Sequence, residues 1–229
     1  MGPSFDAVLF DFHGTLMQVE DAGGWVRGAA AELGRTLTED RAEALAEALV
    51  RAGRAGGPAP RRVPAHLAEA FAHRDLSRAL HRTAYTGLYR TVELPDDRLA
   101  DVLYDRVTRP AGWVPYADAA EVLAGLRADG VAVALVSNIG FDVRPILAAH
   151  GLLDAFDDLV QSYEVGMQKP DPGIFMLACD KLGVPPGRAL MVGDTVADAG
   201  AVAVGLRTLL LPASPPGAVH GLRAVRQLR

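Results

Sequence analysis

The stretch Ala7-Val8-Leu9-Phe10-Asp11-Phe12-His13-Gly14-Thr15-Leu16 decides the architecture. Its first four residues are an unbroken apolar run, the run ends on the carboxylate of Asp11, and Gly14 stops it. Such a run reads as a central strand buried on both faces. Working outward, residues 131–136, 189–192 and 207–211 read as further strands. Helical spacing lies near 117–128, 143–150, 173–182 and 197–204. Strand–helix alternation predicts a three-layer α/β/α, Rossmann-like sandwich around a parallel sheet.

Between the first strand and this alternating half the texture differs. From 17 to 110, Ala, Leu, Glu and Arg recur at helical spacing with few β-branched runs. Thr38 reads as an N-cap followed by Glu39 and Asp40, with Ala42, Leu45, Leu49 and Ala52 on one face and Gly53 at the end. Residues 53–64, rich in Gly, Pro and Arg, read as a loop, and helices are expected near 66–83 and 97–108. The predicted organisation is an α/β core from 1–16 and 111–229, interrupted by a helical cap at 17–110.

Composition excludes several classes. Half of the 229 residues are hydrophobic, enough for a sizeable core and too apolar for a disordered chain. The net charge of −5 argues against nucleic-acid binding. The single Cys179 excludes an internal disulfide framework and a cysteine zinc site. No apolar run is long enough for a transmembrane helix, and Met1–Phe10 lacks the pattern of a signal peptide. A cytoplasmic location is expected. Of 23 basic residues only Lys169 and Lys181 are lysine.

In an open parallel sheet, ligands bind outside the carboxyl ends of the strands. Four groups fall at such ends: Asp11 with His13, Gly14 and Thr15; Ser137-Asn138; Lys169-Pro170; and Gly193-Asp194 with Asp198. One rim therefore collects a carboxylate, a hydroxyl, an ammonium and two more carboxylates.

In these stretches the chain resembles the haloacid dehalogenase-like hydrolase superfamily, in its branch with a helical cap after the first strand. The matching segments are Asp11-Phe12-His13-Gly14-Thr15-Leu16, Val136-Ser137-Asn138-Ile139-Gly140, Gly166-Met167-Gln168-Lys169-Pro170-Asp171-Pro172-Gly173-Ile174-Phe175 and Val192-Gly193-Asp194-Thr195-Val196-Ala197-Asp198. Together they span nearly the whole chain in the family's order. The resemblance implies a phosphohydrolase acting on a small phosphorylated metabolite. In it Asp11 attacks phosphorus and becomes an aspartyl-phosphate, splitting one hard displacement into two easier ones. It implies Mg2+ as cofactor, held by Asp11, the main-chain carbonyl of His13 and Asp194, with Asp198 holding metal-bound water or orienting Lys169. Ser137, with Asn138 and Gly14 nearby, would contact the phosphoryl oxygens. Lys169 would place a compact charge between nucleophile and phosphate, where a planar guanidinium is no substitute.

One position departs from the family's phosphatases. They carry an aspartate two residues after the nucleophile as general acid/base, and here that residue is His13. Three readings stand. His13 replaces the aspartate, since imidazole titrates near neutrality. Or the leaving group needs no acid, as in metal-independent dehalogenation. Or the protein is a catalytically impaired binding or regulatory module. Dehalogenase relatives tend to lack the metal-binding aspartate that this chain keeps as Asp194. Phosphonate-cleaving relatives use a cap lysine, and 17–110 contains none.

In the cap segment Arg27, Arg54, Arg61 and Arg62 read as solvated surface cations rather than a clamp for an anionic substrate. Trp25, Phe71 and Trp113 read as packing residues. His66, His73 and His81 lack carboxylate partners at ligand spacing, so no metal site is expected there. Oligomeric state and substrate identity have no signature in the sequence.

Overall fold

The computed structural model describes residues 5–228. Met1–Ser4, part of the stretch read for a leader, lie outside them. Five parallel strands form the sheet: β1 (Ala7–Phe10), β4 (Ala132–Ser137), β5 (Asp158–Gln161), β6 (Ala189–Gly193) and β7 (Arg207–Leu210), in the order β5-β4-β1-β6-β7. All four residues of β1 are buried, because the strand sits at the centre with helices on both faces. β1 pairs with β4 on one side (Phe10 with Leu135) and with β6 on the other (Phe10 with Val192). The carboxyl ends of these three strands thus lie level.

The chain leaves β1 through β2 (Met17–Val19) and returns through β3 (Trp113–Pro115), which pair as an antiparallel ribbon. Neither ribbon strand is evident in the sequence, since three residues are too few to show a period. Between them lie α1 (Ala22–Glu32), α2 (Glu39–Gly53), α3 (Ala68–Ala72), α4 (Arg78–Tyr89) and α5 (Leu99–Val107). Thr38 caps α2 through a bond from the Arg41 N–H, as its spacing predicts. α1 escapes a propensity reading because Gly23, Gly24 and Gly28 weaken it. Burial of Trp25, Val26, Ala29 and Ala30, with Asp21 as cap, holds it together.

The helix expected over 66–83 is in fact broken. A 3-10 turn spans Arg74–Leu76, and Ser77 is extended and caps α4. The break lets this turn dock on the core, where Ser162 Oγ donates to the Asp75 carbonyl. The strand β5 is not evident in the sequence either, because its acidic start and polar end hide it. The helix expected over 197–204 is one helical turn, α10 (Val196–Ala199), followed by a 3-10 segment. α6 (Ala119–Ala128), α7 (Arg144–Ala149) and α9 (Pro172–Leu182) match the expected helices, with a one-turn α8 (Ser162–Val165) between the last two. Among the described residues no helix is long and apolar enough to cross a membrane.

Candidate active site

At the carboxyl ends of β1, β4 and β6 the fold gathers Asp11, Ser137, Asn138, Lys169 and Asp194 around one cavity of about 260 Å3. Asp11 directly follows β1. Its backbone N–H bonds the Val192 carbonyl of β6, which fixes where its side chain starts. Lys169 Nζ lies 2.7 Å from Asp11 Oδ1 and 2.6 Å from Asp198 Oδ1. All three groups are almost wholly out of water, Asp11 at 7%, Lys169 at 4% and Asp198 at 0% exposure. Burial alone would push the Lys169 ammonium down, but the Asp11 and Asp198 carboxylates outweigh it and raise it above the ordinary lysine value. Burial raises Asp11 against the opposing pull of Lys169, and the Asp198 charge adds to the rise. Asp198 goes the other way: burial would raise it, yet Lys169 and Thr195 hold it below the usual carboxylate range.

Asp198 also builds the turn it sits on. Its Oδ2 accepts from the Thr195 N–H at 2.9 Å and the Thr195 hydroxyl at 2.7 Å, while Thr195 caps α10 in return. Both Asp198 oxygens are therefore engaged. Asn138 grips the backbone of Lys169 twice: its amide donates to the Lys169 carbonyl at 2.8 Å and accepts from the Lys169 N–H at 2.7 Å. Its side chain thus acts on the site through Lys169. Ser137, 1% exposed, ends β4 on the cavity wall.

Carboxylate oxygens of Asp11, Asp194 and Asp198 lie within 4.8 Å of one another. Asp194 Oδ1 is buried with no hydrogen-bond partner. Burial and the neighbouring Asp11 and Asp198 charges push its carboxyl up to about 7. Gly14 makes this approach feasible: it sits at φ +79°, and a Cβ there would lie 2.2 Å from Asp194 Oδ2. Its own N–H is spent on the Met17 carbonyl. A buried, orphaned carboxylate oxygen facing a second carboxylate is a donor set that suits a hard divalent cation. The residues fit Mg2+.

His13 faces the cavity edge-on to Trp113. Its Nε2 lies 2.7 Å from Gln18 Oε1. That oxygen also accepts the Val19 N–H, which assigns the amide and makes His13 Nε2 the donor. Burial lowers the imidazole below its ordinary value, more than Gln18 and Asp11 raise it. His13 is therefore neutral at pH 7, with an unprotonated Nδ1.

The helices supply the opposite wall: Arg74, Asp75, His81 and Tyr85, with Gly56 above the His13 ring. Nothing in the sequence marked Arg74, Asp75 or Tyr85, since no motif surrounds them. Arg54 corrects an expectation. It is buried at 5% exposure and stacks 4.5 Å over Trp25, with Nε and Nη2 unpartnered. Burial brings it down to about 10. A loop arginine is pulled inside here because Trp25 offers its flat guanidinium a ring face. Trp25 packs against Tyr89, as expected of a packing residue. His81 bonds the Tyr104 hydroxyl at 2.9 Å inside the helices.

The family model for haloacid dehalogenase-like hydrolases matches residues 5–204, and the chain belongs to that family of hydrolytic enzymes. Particular relatives follow. The chain is 36% identical over 134 residues to haloacid dehalogenase-like hydrolase domain-containing protein 3 of Mus musculus, covering 56% of this chain and 53% of that one. It thus spans about half the length of this relative. It is 32% identical over 200 residues to a phosphoglycolate phosphatase of Rhodospirillum rubrum, covering 84% and 73%. A solved structure described as a dehalogenase superposes with a TM-score of 0.70 at 27% identity, covering 100% of this chain and 99% of that one. Its relatives therefore include both phosphatases and dehalogenases.

Proposed function

We propose that this hydrolase is a cytoplasmic, Mg2+-dependent phosphohydrolase acting on a small phosphorylated metabolite through an aspartyl-phosphate on Asp11. The observation that carries this reading is Asp194: a buried, unpartnered carboxylate oxygen beside Asp11, at an electrostatic cost that a cation would remove. Asp11, Asp194 and the His13 main-chain carbonyl would hold the ion, which when bound offsets the repulsion between nucleophile and phosphoryl oxygens.

The chain's own residues do the rest. Lys169 occupies Asp11 Oδ1, which leaves Oδ2 to attack phosphorus. Its ammonium opposes the burial that raises Asp11 and offers charge to the phosphoryl group. Ser137 donates its hydroxyl to a phosphoryl oxygen. Asn138 and Asp198 hold Lys169 in place. His13 accepts at Nδ1 the proton of the water that hydrolyses the aspartyl-phosphate. The helices over 22–107 act as the cap, closing the cavity to bulk water and limiting substrate size. The cavity fits a phosphoryl group with a compact organic remainder. The substrate is a small molecule, not a nucleic acid.

A panel of phosphorylated metabolites tests this, with and without Mg2+, for the native chain and Asp11→Asn. Mg2+-dependent release that disappears in the variant is the expected result. Metal-independent dehalogenation is the second reading, favoured by the full-length match to a solved dehalogenase. Halide release from 2-haloacids without metal, and no phosphate release, would establish it instead. Neither product would leave a non-catalytic member of the family.

A further inference from the structure

On the reading of this site as a phosphohydrolase, we propose that Asp75 is the proton donor to the leaving group, supplied from the helical side of the cavity. Expulsion of an alkoxide from a phosphomonoester needs a proton, and a positioned acid is worth about 10²–10⁴-fold. The residue two after the nucleophile cannot supply it as built, because the His13 Nε2–H is already donated to Gln18. The other cavity carboxyls are committed too. Asp11 is the nucleophile, and Asp194 faces it as an ion ligand.

Asp75 is the remaining carboxyl on the cavity wall among the described residues. Its side chain is 16% exposed, and its one ion-pair contact is Arg74 Nη2 at 3.5 Å, too long for a strong hydrogen bond. Its backbone, by contrast, is held firmly. Ser162 Oγ donates to its carbonyl and accepts the Ile139 N–H, which follows Ser137 and Asn138 directly. Arg74 lies so close to the same loop that a Cβ on Gly140 would meet its carbonyl at 2.5 Å. The turn is thus pinned to the loop that presents Ser137, while the carboxyl stays free to act. That is the arrangement a positioned acid needs.

The surroundings favour the protonated form. Burial raises Asp75 above the ordinary carboxylate value, the Asp11 charge adds to this, and Arg74 and Lys169 oppose it. Both Asp11 and Lys169 lie across the cavity, near enough for their charges to act on it. From α4 it faces His81, pushed down to about 3, and Tyr85, raised by burial, both uncharged at neutral pH. In the first step the Asp11 Oδ2–P bond forms, the P–O bond to the leaving group breaks, and Asp75 gives its proton to that oxygen. In the second, water attacks phosphorus, the Asp11 Oδ2–P bond breaks to release the Asp11 carboxylate, the water's proton goes to His13, and Asp75 regains a proton from solvent. The sum is ester plus water giving alcohol plus phosphate.

The test is Asp75→Asn against aryl and alkyl phosphates of graded leaving-group acidity, with Mg2+, alongside Asp75→Glu. The readout is kcat/KM for a simple alkyl phosphate relative to 4-nitrophenyl phosphate, whose leaving group needs little protonation. We expect that ratio to fall about 10²–10⁴-fold in Asp75→Asn and to recover in part in Asp75→Glu. A loss equal for all leaving groups, or no loss, would overturn the role of Asp75 and leave the phosphohydrolase standing. No phosphate release by the native chain would overturn both.

Discussion

The ammonium of Lys169 sits 2.7 Å from Asp11 Oδ1 inside a site from which both groups have lost their water. Two ions so placed are expensive to desolvate, and their attraction repays that only when both partners are present. Lys169 opposes the rise that burial imposes on the Asp11 carboxyl, and Asp11 in turn holds the ammonium charged.

Removing the cation should therefore cost both stability and turnover. Lys169→Met leaves Asp11, Asp194 and Asp198 facing one another unneutralised. We expect a loss of about 3–5 kcal/mol in metal-free unfolding by urea, partly restored by millimolar Mg2+. Lys169→Arg should also abolish turnover, since a planar fork does not fit between Asp11 and Asp198. Near-native activity in Lys169→Arg would refute this account of the site.

Asp194 predicts a coupling between metal and protons. Its carboxyl is pushed up to about 7 from an ordinary 3.8, so the metal-free native state holds a proton that the unfolded chain releases. The sign follows: this group's contribution to stability is present at low pH and is lost as pH rises from about 4 to about 7. A bound cation requires the carboxylate. Calorimetric titration with Mg2+ at pH 6.5, in buffers of different ionisation enthalpy, should show proton release, and Mg2+ should raise Tm more at pH 8 than at pH 5.5. Buffer-independent heats would contradict it.

His13 should divide binding from chemistry. His13→Ala keeps the main-chain carbonyl, so Mg2+ affinity should stay within about twofold while turnover falls about 10²–10⁴-fold. With the imidazole proposed as the base of the second step, aspartyl-phosphate should accumulate in this variant, seen in rapid quench as a burst of the leaving alcohol ahead of phosphate release. His13→Asp should retain or raise activity. Lost Mg2+ affinity in His13→Ala would show that the side chain, not the carbonyl, shapes the metal site.

Asp198 carries structure as well as charge. Asp198→Asn keeps the shape but weakens the bond to Lys169 and the cap on α10. A stability loss of about 2–4 kcal/mol is expected, combining a charge-assisted hydrogen bond with part of a helix cap. Thr195→Ala should cost about 1 kcal/mol by removing its cap on α10 and its hydroxyl's bond to Asp198 Oδ2, with the Lys169 contact left in place. Equal losses in the two variants would mean that Lys169 does not depend on Asp198.

Much of this protein was legible in its residues alone. β1 could be read because a strand buried on both faces must be an apolar run, and Asp11 because it ends that run. Asp194 followed from ending another strand, where a parallel sheet places its ligands, and Lys169 from the segment Gly166–Phe175 that resembles the family's. These inferences need only local sequence and the topology it implies. What only the tertiary structure decided are the groups whose meaning comes from distant partners. Asp198 anchors Lys169 across 29 positions, and Asn138 clamps it across 31. Arg54 is drawn inside by Trp25. Asp75 reaches the cavity because the helix expected over 66–83 breaks to bond Ser162. Arg54 and Asp75 stand in no local period or motif, and the segments that hold Asn138 and Asp198 do not show which distant backbone or side chain each one grips, since contacts and burial at such positions are set by what folds against them.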